Sequence, residues 1–193
     1  MADKNLALDG KRVAVLMTDG VEQVEYTKPS SFLKEHGAEV TLVSPKGQGA
    51  QVQGMNHKDK GDSFKVDMDV RDAQAMKFDA LLLPGGVGNP DELRLSKESI
   101  AFIREFARED KPIAAICHGP WTLIDADVVR GKQMTSWPSL QVDLRNGGAS
   151  WHDEQVVVDG KLVTSRKPDD IPAFNEAFLK VLTQASAATS AVR

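Results

Sequence analysis

Short apolar runs alternate along the chain with longer segments of helical period. The runs are VAVLM (Val13 to Met17), AEVTLVS (Ala38 to Ser44), ALLLPGG (Ala80 to Gly86), PIAAIC (Pro112 to Cys117) and QVVVDGKLVTSR (Gln155 to Arg166). Runs this short and continuously apolar read as strands buried on both faces, which is the pattern of a parallel sheet. The segments between and after them, EQVEYTKPSSFLKEHG, DELRLSKESIAFIREFARED, WTLIDADVVRG, SLQVDLRNGG and IPAFNEAFLKVL, read as helices. Gly37 and Gly131 stand at the expected left-handed stops of two of them. Pro29 should kink or restart the first helix. The expected fold class is a flavodoxin-like, doubly wound α/β domain, a mostly parallel sheet with helices on both faces.

Two places break the alternation. Residues 51–70, QVQGMNHKDKGDSFKVDMDV, are polar with patches of period two, which predicts a small antiparallel excursion or flap. In VVVDGKLV, Asp159-Gly160 is a two-residue hairpin signal. No internal repeat or linker is apparent, and the Ala/Ser/Thr-rich end QASAATSAVR is expected to fray.

Composition narrows the partners. With 193 residues, 41% hydrophobic, 27% charged and a net charge of -4, the chain reads as one soluble globular domain with no electrostatic preference for nucleic acid or anionic membrane. The first residues, MADKNLALDGKR, hold no apolar stretch of signal-peptide length, and no run approaches a membrane span. A cytoplasmic setting follows as an expectation, and there a thiol stays reduced.

That thiol is the chain's single cysteine, Cys117, at the carboxyl end of a strand and directly before His118-Gly119-Pro120. In doubly wound sheets ligands bind beyond the carboxyl ends of the strands. A residue on a sharp strand-to-helix turn projects from the sheet, and helix amides next to it favour the thiolate, the reactive form. Against this stands the ordinary fate of a free cysteine as a small buried apolar residue. Two more strand ends should converge there. After DALLL, Gly85 and Gly86 permit close backbone approach, and the Gly86 N–H with that of His118 would form an oxyanion hole. After VAVLM come Glu22 and Glu25. Glu25 reads as an acid favouring the helix N-terminus through its dipole. Glu22 is placed to hydrogen-bond the thiolate, for which it must be protonated. His57 and His152 have no ligand-type neighbours at metal spacing, so no metal or other cofactor is expected.

AICHGP after a strand, LLLPGG before a helix, the acidic turn at Glu22 and the closing VVVDGKLVTSRKPDDIPAF together resemble the ThiJ/PfpI family, within the class I glutamine amidotransferase-like superfamily. The resemblance runs from about Lys11 to Leu182, and implies a single domain over 1–193 with its core at about 11–182. It is nearest the branch of PfpI-type intracellular proteases and bacterial stress proteins described as deglycases or glyoxalases. It implies Cys117 as nucleophile, His118 as its partner, Glu22 as the protonated acid, and Gly86 with His118 as oxyanion donors. It also implies a homodimer or higher oligomer in which a neighbour's carboxylate orients the histidine. The matching position is Asp91, with Glu92 adjacent; both also read simply as acids at a helix start. Trp137 falls where some members carry a tyrosine near the site, and offers packing or one N–H donor. The expected activity is a cysteine-dependent hydrolase for small reactive aldehydes or glycated amines. The alternatives are a cysteine peptidase and a non-catalytic redox sensor or chaperone-like stress protein.

Overall fold

The computed structural model describes residues 6–190. Residues 1–5 of the N-terminal segment and residues 191–193 of the tail lie outside the described residues. The strands are β1 (Arg12–Leu16), β2 (Val21–Glu22), β3 (Glu39–Ser44), β4 (Gln51–Asn56), β5 (Asp59–Lys65), β6 (Met68–Asp69), β7 (Ala80–Leu83), β8 (Ile113–Ile116), β9 (Gln133–Met134), β10 (Ser150–Trp151), β11 (Val156–Asp159) and β12 (Leu162–Ser165). The helices are α1 (Gln23–Glu35), α2 (Gly88–Leu95), α3 (Lys97–Arg108), α4 (Trp121–Asp125), α5 (Gln141–Asn146) and α6 (Ile171–Ser190).

Seven strands form the central sheet in the order β11-β12-β8-β7-β1-β3-β6, every pairing parallel except the β11–β12 hairpin. Because successive strand residues point to opposite faces, each strand feeds two cores. Ala14, Leu16, Leu81, Leu83 and Ala115 pack with Ile103 and Phe106 of α3 and with Leu123 and Leu144 beyond it. Val13, Val15, Leu82, Ala114 and Ile116 pack on the other face with Leu33 of α1 and with Phe174 and Phe178 of α6. This is the doubly wound arrangement the apolar runs predict. The chain passes from β1 to β3 on one side and returns to β7 on the other, so the order reverses between β1 and β7, and a crevice opens at their carboxyl ends.

The polar stretch is the expected antiparallel hairpin, β4–β5, which forms a separate three-stranded sheet through the parallel pairing of β2 with β4. The β11–β12 turn is also present, with Asp159 paired to Leu162, so its two loop residues are Gly160 and Lys161 rather than Asp159 and Gly160. Four of the predicted helices differ from expectation. Pro29 lies buried inside an unbroken α1, where it removes the N–H that would reach the Glu25 carbonyl without ending the helix. DELRLSKESIAFIREFARED is two helices, since Ser96 leaves helical geometry and its side chain accepts the Ser99 N–H at 3.1 Å, capping α3. WTLIDADVVRG is helical only over α4, whereas α6 continues through residues expected to fray, as far as Ser190.

Candidate active site

β8 ends at Ile116, and Cys117 follows with φ 61, a left-handed conformation that costs a residue with a side chain about 1–3 kcal/mol. Neighbouring backbone holds it there. The Cys117 N–H donates to the Ser165 carbonyl at 3.0 Å, its carbonyl accepts the Trp137 N–H at 2.8 Å, and the Gly119 N–H returns to the Ile116 carbonyl at 2.9 Å. The chain thus bends sharply and turns the thiol into the crevice beside the end of β7, where it is 6% exposed.

The β7 end meets it as Pro84-Gly85-Gly86. At Gly85 a Cβ would stand 2.7 Å from Glu25 Oε2 and 2.8 Å from both Cys117 Cβ and the His118 nitrogen, so only hydrogen fits. Gly86 has φ +80, and a Cβ there would come within 2.2 Å of the Gly20 carbonyl oxygen. That conformation turns the Gly86 N–H toward Cys117, where it and the His118 N–H both hydrogen-bond the sulfur. The expected pair of amides is therefore in place around the thiol.

The acid beside the thiol is Glu25, not Glu22. Glu25 lies in the first turn of α1 and is 0% exposed. Its Oε2 accepts the Gly85 N–H at 2.8 Å and its carboxyl reaches the Cys117 thiol, while Oε1 lacks any other well-formed partner. Burial pushes its pKa up to about 8, against the opposing pull of the Gly85 amide and the thiol. Glu22 precedes the helix in β2 and turns toward the β4–β5 hairpin, where Oε2 accepts the His57 N–H at 3.1 Å. Reading the acidic turn by its distance from the strand favours Glu22. The helical period decides otherwise, because positions 25, 29 and 33 share the buried face of α1.

The electrostatics also depart from a simple low-pKa thiol. α4 is a single turn long, and burial, followed by the charge of Glu25 when ionised, pushes the Cys117 pKa up, while the Gly86 and His118 amides pull it down. Two adjacent buried negative charges exclude each other, so the sulfur carries charge only while Glu25 keeps its proton.

His118 places Nδ1 3.3 Å from Cys117 Sγ and Nε2 3.5 Å from Ser139 Oγ. Burial lowers its pKa, so it is a neutral imidazole at pH 7. Trp137 stacks on it with ring centroids 5.7 Å apart and planes 24° from parallel, and at 38% exposure forms an outer wall of the crevice. The fold thus assembles Cys117, His118, Gly85, Gly86 and Trp137. Asp91 and Glu92 are exposed on α2, and neither carboxylate touches His118 within the chain. Sequence reasoning missed Glu25 as the thiol's neighbour, and it missed Asn89, a fully buried amide in the first turn of α2. No pattern marks Asn89, because a polar residue at a helix start is ordinary. A nucleophile, two convergent amides and a protonated carboxyl together suit addition to a carbonyl carbon.

Comparison with known proteins agrees with this arrangement. The sequence pattern of the DJ-1/PfpI family matches residues 11–181. Protein/nucleic acid deglycase 2 of Escherichia coli is 44% identical over 174 residues, 89% of this chain and 98% of its own. General stress protein 18 of Bacillus subtilis is 43% identical over 174 residues, 90% of this chain and 98% of its own. Among solved structures, DJ-1beta of Drosophila melanogaster superposes with a TM-score of 0.79 at 27% identity, covering 93% of this chain and 97% of that one.

Proposed function

The chain belongs to the DJ-1/PfpI family, and on that premise we propose that it is a cysteine-dependent, stress-protective hydrolase of reactive aldehydes and early glycated amines. The observation that carries the reading is the buried Glu25 carboxyl, protonated at neutral pH, in contact with the only cysteine. The Cys117 sulfur, as the thiolate that exists only beside a protonated Glu25, adds to the carbonyl carbon, forming the C–S bond as the C=O π bond breaks. The Gly86 and His118 N–H groups receive the developing oxyanion, and Glu25 delivers the proton that completes a hemithioacetal. With an α-oxoaldehyde, the Glu25 carboxylate then moves the C–H proton of the former aldehyde carbon to its neighbour, while the hydroxyl proton of the hemithioacetal passes to the neighbouring carbonyl oxygen, leaving the thioester of a 2-hydroxy acid. Water, deprotonated by neutral His118, cleaves it to a 2-hydroxy acid and the free thiol. From a glycated amine, a hemiaminal, the sulfur takes the place of the amine on the same carbon: the C–S bond forms as the C–N bond breaks, Glu25 protonates the leaving nitrogen, and the same hemithioacetal results.

Trp137 bounds the substrate space beside His118. Asp91, exposed in the first turn of α2, is the carboxylate a second copy would present to His118, and the exposed Val87 and Leu95 at the two ends of that helix suit a contact between copies. A cytoplasmic place of action fits a reduced thiol; among the described residues no helix is long and apolar enough to cross a membrane.

The test is turnover of methylglyoxal, a glycated amino acid and a casein-type peptide by wild type and Cys117→Ser. The expected result is 2-hydroxypropanoate and released amine from wild type alone. Peptide cleavage without aldehyde turnover would replace this reading with a peptidase. Inertness toward all three substrates would leave the thiol as a sensor.

A further inference from the structure

Asn89 contacts neither the thiol nor the solvent, yet it joins the ends of two strands that build the site. Its Oδ1 accepts the Thr18 N–H, just beyond β1, at 2.8 Å. Its Nδ2 donates to the carbonyls of Pro84 at 2.9 Å and Gly85 at 3.0 Å. The three partners fix which end of the amide is oxygen, since Thr18 offers only a donor and the carbonyls only acceptors.

The two carbonyls belong to successive peptide units, and in a planar trans peptide the C=O and the next N–H point in opposite directions. Holding the Pro84 carbonyl therefore aims the Gly85 N–H, which meets Glu25 Oε2 at 2.8 Å. Holding the Gly85 carbonyl aims the Gly86 N–H, which meets the Cys117 sulfur. Among the described residues the other hold on the Gly85 carbonyl is the longer 3.3 Å bond from the Glu22 N–H. Two adjacent glycines do not keep such an orientation unaided, because either can rotate through both halves of backbone space. A flipped Gly85–Gly86 peptide would turn a carbonyl dipole toward the sulfur.

We propose that Asn89 is a positioning residue whose two N–H groups orient consecutive peptide planes, so that one amide addresses the acid and the next addresses the nucleophile. This rests on the reading of Cys117 as nucleophile but not on the identity of the substrate. Asn89 acts through Gly85 and Gly86 and touches no reacting atom.

The experiment follows Cys117 directly, because the chain has one cysteine and iodoacetamide therefore reports on it alone. In Asn89→Leu, which keeps the side-chain shape without charge or donors, both guided amides are lost. The pH at which the Cys117–Glu25 pair releases its first proton then rises, since each amide favours an ionised form. The alkylation midpoint is expected to move up by about one pH unit or more. Turnover should fall about 100-fold with KM changed little, as when an oxyanion donor is removed. Asn89→Ser, which can restore one donor, should lie between, and it decides the question if Asn89→Leu does not fold. Phe106→Leu, in the core that α2 joins through Leu93 and away from the thiol, destabilises the fold by leaving a cavity and should leave the midpoint where it is. A folded Asn89 variant with the wild-type midpoint overturns the proposal, as does an equal shift in Phe106→Leu. Absence of aldehyde turnover in the wild type would instead strike the functional reading, and the alkylation comparison would still decide the role of Asn89.

Discussion

The two ends of the central sheet handle charge in opposite ways. At the amino end, where β1, β7, β8 and β12 begin, Lys11 meets Asp79 at 3.2 Å, Lys111 meets Glu109 at 2.7 Å and Lys161 meets Asp110 at 2.6 Å, all partly exposed. The carboxyl end of the same strands has ion pairs of its own, Lys46 with Asp19 and Arg166 with Asp170, but there, among the described residues, one carboxyl, Glu25, is fully buried with no cation against it. Cys117 next to it sits in a strained backbone conformation. Paired surface charges are worth little and are screened by salt, whereas an unpaired buried acid is costly to ionise and therefore available to give and take protons near neutrality. The strands supply the same apolar packing to both ends, and the chemistry resides only where that packing encloses a titratable group.

This contrast stands or falls first on the buried carboxyl, whose shape can be kept while its proton chemistry is removed. Glu25→Gln can still donate a hydrogen bond but cannot shuttle a proton, so turnover of the aldehyde should fall about 10²–10⁴-fold while the fold is kept. Glu22→Gln, three residues away at the hairpin, should change turnover by no more than a few-fold. The pair of rate constants, measured on one substrate, decides between the two carboxyls. Loss of activity in Glu22→Gln with retention in Glu25→Gln would return the role to Glu22 and remove the meaning given to burial.

Much of this arrangement is legible in the chain. Continuous apolar runs mark the strands because a sheet covered on both faces demands them, and strand-end placement separates Cys117 from an ordinary core cysteine. Gly85 and Gly86 are legible because few residues other than glycine tolerate so close an approach. The choice between Glu22 and Glu25 was also open to the sequence, through the 25-29-33 face of α1, yet rank along the turn points the other way. What was not legible depends on pairings distant in sequence. Asn89 reaches Thr18 across 71 positions, and Trp137, placed near the site by the family resemblance alone, stacks on His118 beside the bond from its N–H to the Cys117 carbonyl. The rise in the thiol's pKa likewise depends on burial, which local pattern does not report.

A smaller effect of the same carboxyl concerns stability. The folded-state pKa of Glu25, about 8, lies above the ordinary 4.5, so the folded protein holds a proton that the unfolded chain releases. Below pH 4.5 both states are protonated and Glu25 imposes no penalty. As pH rises from 4.5 toward 8 the unfolded state is increasingly favoured, and above 8 the loss is complete, at roughly 1.4 kcal/mol for each tenfold difference in proton affinity between the two states. In a Cys117→Ser background, which removes the thiol from the titration, Glu25→Gln should therefore be more stable than its parent by a few kcal/mol at pH 9. The difference should shrink as pH falls toward 4.5. Urea unfolding at the two pH values measures it, and a gap independent of pH would mean that burial does not control this group.

The smallest effect belongs to the amino end, and it tests whether that end is as passive as the contrast requires. Lys161 donates to Asp110 Oδ2 and to the Asp110 carbonyl, both at 2.6 Å, just past the end of α3, while its side chain is 39% exposed and that of Asp110 82% exposed. Such a pair exchanges hydration for a screened attraction and immobilises a long side chain, so its net worth is below about 1 kcal/mol. The carbonyl contact adds no more than an exposed helix cap does, since water replaces the ammonium when it is removed. Lys161→Ala should accordingly lower the unfolding free energy by less than about 1 kcal/mol. Half-molar salt should erase most of the charge-dependent part, because it shortens the screening length to about the contact distance. Turnover should not change, as no element carries charge from Asp110 to the opposite end of β8 except the apolar strand itself. A loss of several kcal/mol, or a change in the pH profile of Cys117 alkylation, would show the amino end to be coupled to the site and would end the division of labour between the two ends of the sheet.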